Sequence, residues 1–273
     1  MHVRREISQK PNRTASMLYL LHMDNSSLSG NFSWNQQAAR LSAALHLAAE
    51  PAAIAFTSEK PRGVNNFDGP MSEKSEDGRQ GRVAAGCVFW MHAAEDTFVT
   101  EKQDHGNCSV GSFTHGLTEL KESLGNTDIK ALLESNWIDG ESVYALPYVK
   151  GSPNYVTYGP LKETPDVVKP DVLLLRINGR QLMILSDALP DLKIVGKPQC
   201  HIIAIAKEEN VPAASVGCAL SRVRTGMRPE EMTCAIPAKR SEEIISKIED
   251  AVLVVNTVAK YAAQDARKFS QSA

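Results

Sequence analysis

Six-residue apolar runs separated by amphipathic stretches are what most narrows the fold of this chain. Ala52–Thr57 (AAIAFT) and Val172–Ile177 (VLLLRI) have the length and content of buried strands. Around them lie segments with apolar residues at three- and four-residue spacing, as in helices packed on a sheet. The N-terminal apolar run at 17–21 (MLYLL) is too short for a signal-peptide core or a spanning helix. No later run reaches about 18 uninterrupted apolar residues. The expectation is a cytoplasmic protein of α+β or α/β class, neither secreted nor embedded in a membrane.

At 273 residues the chain is near the upper size for a single hydrophobic core. Residues 1–33 mix basic and polar types without a period and read as a disordered or loosely packed leader, with Met17 and Met23 as alternative starts. Residues 34–268 read as one compact domain, followed by a tail at 269–273. Helices are predicted over 35–50, 83–94, from Ser109, and over 128–135, 179–188, 216–223 and 241–268. The last would open with Ser241 as N-cap and with Glu242 and Glu243 favouring the helix dipole. Strands are predicted at 52–57, 96–101, 143–149, 155–158, 172–177 and 200–206. The stretch 60–82, rich in Gly, Pro and charge, reads as a long loop, either disordered or a lid.

A weak internal repeat appears when 98–111 (FVTEKQDHGNCSVG) is laid beside 204–217 (AIAKEENVPAASVG). Each copy reads as strand, charged turn and then Ser-Val-Gly opening a helix. A true repeat would build the domain from two related α/β halves, about 34–140 and 141–268, with a ligand cleft on the axis between them.

The formal net charge of −2 gives no overall attraction to nucleic acid or to an anionic membrane. The expected partner is therefore a small molecule, with a homodimer as the commonest oligomer. Five cysteines, at 87, 108, 200, 218 and 234, are odd in number and widely spaced. With no secretory segment ahead of them they read as reduced thiols rather than a disulfide framework. Cys87, Cys200 and Cys234 sit in or beside apolar runs and read as core, as does Trp90.

Three groups could carry chemistry. In His105-Gly106-Asn107-Cys108 a histidine and a cysteine can reach one ion from a tight turn. Zinc or iron would accept the pair if His115 and Cys218 completed the set. In Val216-Gly217-Cys218 a cysteine just inside a helix start, with Arg222 and Arg224 close behind, has the setting of an activated thiolate. The alternative is a small residue that permits close packing. Finally, Ser109 with Gly111, and Ser215 with Gly217, place free backbone N–H groups at helix starts that suit an anion, with Arg222, Arg224 and Arg228 behind the second. Neither a phosphate-binding loop nor a dinucleotide fingerprint occurs, and no G-x-S-x-G or H-E-x-x-H is present.

Several stretches together resemble the domain-of-unknown-function family number 169, an uncharacterised group of bacteria and archaea. They are Pro51 to Phe56, Cys87 with Trp90 and Ala93, His105 to Gly111, Tyr158 to Leu161, Pro170 to Leu173, and Ser215 to Cys218 with Ser221 and Arg222. Thr225 to Met227, Glu230 to Met232 and Ile236-Pro237 close the pattern. The resemblance spans about residues 35–260 and implies a single domain over most of the chain. It implies no particular reaction.

Three functions remain open on the sequence. The first is a small-molecule enzyme acting on a compact, anionic substrate, with Cys218 and Cys108 as thiols, His105 as acid/base and Arg222 as anion clamp. The second is a metal- or cofactor-binding protein that uses the same Cys and His groups. The third is a non-catalytic ligand-binding or sensor domain in which Gly111 and Gly217 only shape a pocket.

Overall fold

The structure, a computed structural model, describes residues 33–68 and 85–270. The expected leader up to residue 32, positions 69–82 of the predicted loop and the last three residues lie outside the described residues. Seven strands form one mixed sheet: β1 (Ala52–Thr57), β2 (Phe98–Glu101), β3 (Tyr155–Pro160), β4 (Val172–Ile177), β5 (Lys193–Val195), β6 (Ala213–Ser215) and β7 (Met232–Pro237). Their order is β2-β3-β1-β4-β7-β6-β5, and every neighbouring pair is antiparallel except β5 and β6. The described residues also form ten α-helices. They are α1 (Trp34–Leu45), α2 (Gly86–His92), α3 (Ser109–Thr114), α4 (Leu120–Gly125), α5 (Thr127–Glu134), α6 (Gly140–Tyr144), α7 (Gly179–Ala188), α8 (His201–Ala204), α9 (Ala219–Thr225) and α10 (Ser241–Ser270). The class is α+β, as the patterning implied.

The central strands read as continuous apolar runs because both faces of the sheet are covered. Successive side chains point to opposite faces. Ala52 and Ile54 of β1 and Val172 and Leu174 of β4 therefore join one core, which includes residues of α2, α3, α5 and α8. Ala53, Leu173 and Leu175 join the other, built with α1, α7 and α10. The chain is thus a helix–sheet–helix sandwich. No helix among the described residues is long and apolar enough to cross a membrane.

Three elements differ from the sequence reading. Residues 200–206, predicted as a strand, are helical: α8 runs into a π turn at Ile205–Glu209 and ends at Asn210 in the left-handed conformation. An apolar run of this length has the same appearance in a buried strand and a buried helix. Topology decides, because β5 and β6 are parallel and a parallel pair needs a crossover, usually a helix. Residues 143–149 were also predicted as a strand. Instead the end of α6 takes up 143–144 and the rest is irregular; the helix start is fixed by the Asp139 carboxylate, which accepts from Ser142 N–H at 2.7 Å. Ser241 is not an N-cap: a 3₁₀ turn at Ala238–Arg240 leads directly into α10, and the Ser241 hydroxyl donates backwards to Ala238 O.

The two repeat-like segments adopt different structures. The first Ser-Val-Gly lies inside α3, whereas in the second Ser215 ends β6 and Gly217 turns the chain at φ +92° before α9. The proposed halves also interleave: β3 lies between β2 and β1 in one sheet.

Gly116 ends the α3 turn at φ +71°, and a Cβ there would stand 2.1 Å from Val149 O. Gly116→Ala therefore combines left-handed strain with a backbone clash. We expect it to destabilise the fold by about 2–4 kcal/mol in urea unfolding. Gly125→Ala, which meets nothing within 4 Å, should be close to neutral. Equal midpoints for the two variants would contradict this packing.

Candidate functional site

Four helix starts meet on one side of the sheet, and each carries a cysteine. Cys87 is the second residue of α2, Cys108 caps α3, Cys200 precedes α8 and Cys218 caps α9. All four line a single narrow, largely apolar pocket together with Gln199 and Trp137. Cys87, Cys108 and Cys200 are buried in its wall, while Cys218 is half-buried at its mouth. Lys197 stands over the Trp137 ring at 5.0 Å and closes one side of the rim. The fifth cysteine, Cys234, belongs to β7 and to the core on the opposite face.

The loop that presents Cys218 is fixed from within. The Ser215 hydroxyl accepts from Gly217 N–H at 3.1 Å and donates to Gly196 O at 3.2 Å. Ser221 and Cys218 cap one another: Ser221 N–H donates to Cys218 Sγ at 3.3 Å, and Cys218 N–H donates to Ser221 Oγ at 3.1 Å. Arg222, expected to clamp an anion, has a different task. Its guanidinium donates to Val216 O, Arg228 O, Pro229 O and Glu231 O, stapling the segments on either side of α9.

The first Ser-Val-Gly is likewise committed. Ser109 N–H and its hydroxyl donate to the two oxygens of Asp128, at 2.9 and 2.6 Å. The carboxylate at the start of α3 is thus the protein's own. Gly111 lies against Cys108, whose Sγ would be 3.5 Å from a Cβ at that position. Burial raises the Cys108 thiol above its usual value, and the positive charge of Arg224 acts against that rise.

Neither histidine lines the pocket. His105 is fully buried, its ring tilted against Phe89 at 4.8 Å and 5.6 Å from the His115 ring. Thr100 donates its single hydroxyl proton to Val156 O, so His105 Nε2 carries the hydrogen in their 2.9 Å contact. His105 Nδ1 is left buried without a partner. His115 Nδ1 donates to Gly111 O at 2.8 Å, and the ring backs onto Gly86, where a Cβ would meet Cε1 at 3.0 Å. His115 thus braces two glycines of the pocket wall from behind. Burial holds both imidazoles neutral, His115 down at about 4 and His105 well below its usual value, lowered further by the neighbouring His115.

Among the described residues, no three His, Cys, Asp or Glu side chains stand close enough to hold a metal ion. The expected zinc or iron set of His105, Cys108, His115 and Cys218 is therefore not assembled. Cys108 and Cys218 do share a pocket, and two cysteines read as core, Cys87 and Cys200, complete it. Burial, and after it the neighbouring Cys108 and Cys218, raises the Cys87 thiol to about 12. Cys200 is raised well above its usual value by burial and then by Cys108, Cys218 and Cys87, with a hydrogen bond to Thr114 acting the other way. The four sulfurs are thus one electrostatic group.

Gln199 is a polar residue that no motif singled out. It is 1% exposed, lines the pocket, and neither Oε1 nor Nε2 has a partner. A buried amide left unpaired costs about 1–3 kcal/mol unless something bonds to it.

A family model for uncharacterised ArCR proteins, DUF169, matches residues 40–247. The chain belongs to this family. No curated protein and no solved structure matches it.

Two outcomes follow from this geometry. In reduced, metal-free protein at pH 7.5, iodoacetamide should label Cys218 first and the deeper pocket thiols more slowly, while Cys234 reacts only on unfolding. Peptide mapping that found Cys234 labelled as early as Cys218 would refute the assignment. The second concerns pH. His115 binds its proton only near pH 4 when folded but near 6.5 when unfolded, so the unfolded state holds more protons between those values. Stability is complete above about pH 6.5 and falls as the solution is acidified, by about 2 kcal/mol from this imidazole between pH 7 and 5. Urea midpoints that do not move between those two pH values would contradict it.

Proposed function

We propose that this member of the family is a cofactor-binding protein whose pocket takes a thiol-ligated group larger than a single ion. One observation carries the reading. Four of the chain's five cysteines and an unpaired, buried glutamine line the same pocket, although they come from four separate helix starts. Free cysteine is common in cores, but packing alone gives no reason to leave Gln199 with both polar atoms unsatisfied. A group bonded to the sulfurs and to the amide does.

The free-thiol enzyme is the weaker reading. A cysteine nucleophile is activated by a base within hydrogen-bond reach or by a nearby cation that favours the thiolate, and Arg222 is spent on backbone carbonyls. Cys218, the accessible thiol, has Ser221 as its hydrogen-bond partner, and His105 lies outside the pocket. Three of the four thiols are held protonated by burial, which suits ligands that lose their protons only when a metal replaces them.

The test is elemental analysis combined with differential alkylation on protein purified without oxygen or chelator. The expected result is stoichiometric thiol-bound metal, with Cys87, Cys108, Cys200 and Cys218 protected until a chelator is added. A Cys108→Ser/Cys218→Ser double variant should lose the metal, and Cys234→Ser should keep it. A metal-free protein whose Cys218 alkylates equally fast before and after chelator would sink the reading.

A further inference from the structure

We infer that the group held by Cys87, Cys108, Cys200 and Cys218 is an iron–sulfur cluster, with one thiolate on each iron. The inference rests on the cofactor-binding reading and names its chemical class.

The number and spread of the thiols favour a cluster over the alternatives. A structural zinc ion needs all four sulfurs about 2.3 Å from one point, and no three ligating side chains among the described residues meet even a looser condition. A covalently attached haem would use Cys-x-x-Cys-His, which the sequence lacks. Clusters of two or four irons take four cysteines and carry their own bridging sulfides, so the protein sulfurs stand further apart. Four thiols on four different helices, converging on one pocket without touching as a set, fit that demand.

The remaining lining completes the site. Bridging sulfides and ligating sulfurs accept hydrogen bonds, and such bonds help set a cluster's potential. The Gln199 Nε2 group is a buried donor with no protein acceptor. The positive charge of Arg224, which acts on Cys108, would favour an anionic assembly there. The apolar walls and the opening at Cys218 leave one route by which a cluster would enter.

Insertion is a ligand exchange that leaves the electron count unchanged. As a preassembled [4Fe–4S] cluster carrying four 2-mercaptoethanol ligands enters, each cysteine sulfur forms a bond to iron. Each iron–mercaptoethanol bond breaks, and the departing thiolate takes the cysteine proton. Four thiols leave for four that bind.

The experiment uses the full chain, reduced and chelator-treated, titrated anaerobically with that cluster and then gel-filtered. The expected product holds about four irons and four acid-labile sulfides per chain, with a broad visible band that dithionite bleaches. Cys234→Ser should retain it fully. Cys200→Ser, checked for folding by far-UV circular dichroism, should lose iron to a competing chelator at least tenfold faster. Gln199→Leu should bind the cluster but with a shifted reduction potential. If wild-type protein retains no cluster yet binds cadmium with a thiolate absorption band and protected cysteines, the cluster inference fails and the thiol-pocket reading stands. If it retains neither cluster nor cadmium, both fail.

Discussion

Everything in this chain depends on a sheet buried on both faces. Leu173, Leu174 and Leu175 follow one another in β4 and all are within 2% of complete burial, because neighbouring side chains enter opposite cores. A strand of that kind needs helices above and below it. It also requires the parallel edge pair β5 and β6 to be joined by a crossover over the sheet. That crossover is α8, and it delivers Gln199 and Cys200 to the face where α2 and α3 already bring Cys87 and Cys108. α9 packs against α2 and adds Cys218 at the rim.

The polar residues around the pocket serve mostly to hold it. Arg222 ties four carbonyls, Asp128 satisfies the start of α3, and His115 props Gly111 and Gly86 from below. With those side chains committed, the lining groups left for a ligand are the four sulfurs and the Gln199 amide. That selection, rather than any single residue, is what favours ligation over nucleophilic catalysis in the function proposed above.

Much of the architecture was legible in the sequence. β1, β4 and α7 have the predicted bounds, since local composition and burial agree there. The failures share a cause. Residues 200–206 are helical because of their place between parallel strands, which no local period records. Cys87, Cys200 and Cys234 all sit in apolar surroundings, and only the topology sends two of them to the pocket and one to the opposite core. The Ser-Val-Gly pair drew attention to Cys108 and Cys218, which do line one pocket, yet the two copies adopt different structures. His105 looked available because it neighbours Cys108 in sequence, but the 3₁₀ turn at Lys102–His105 directs it into the core instead.

The account's central claim is that four cysteines distant in sequence are neighbours in the fold. Treating reduced, native protein with a short thiol-to-thiol cross-linker and mapping the joined peptides tests this most directly. Links should form only among Cys87, Cys108, Cys200 and Cys218, with Cys234 unmodified behind the sheet. Links that include Cys234, or no intramolecular link at all while Cys218 is fully modified, would contradict it.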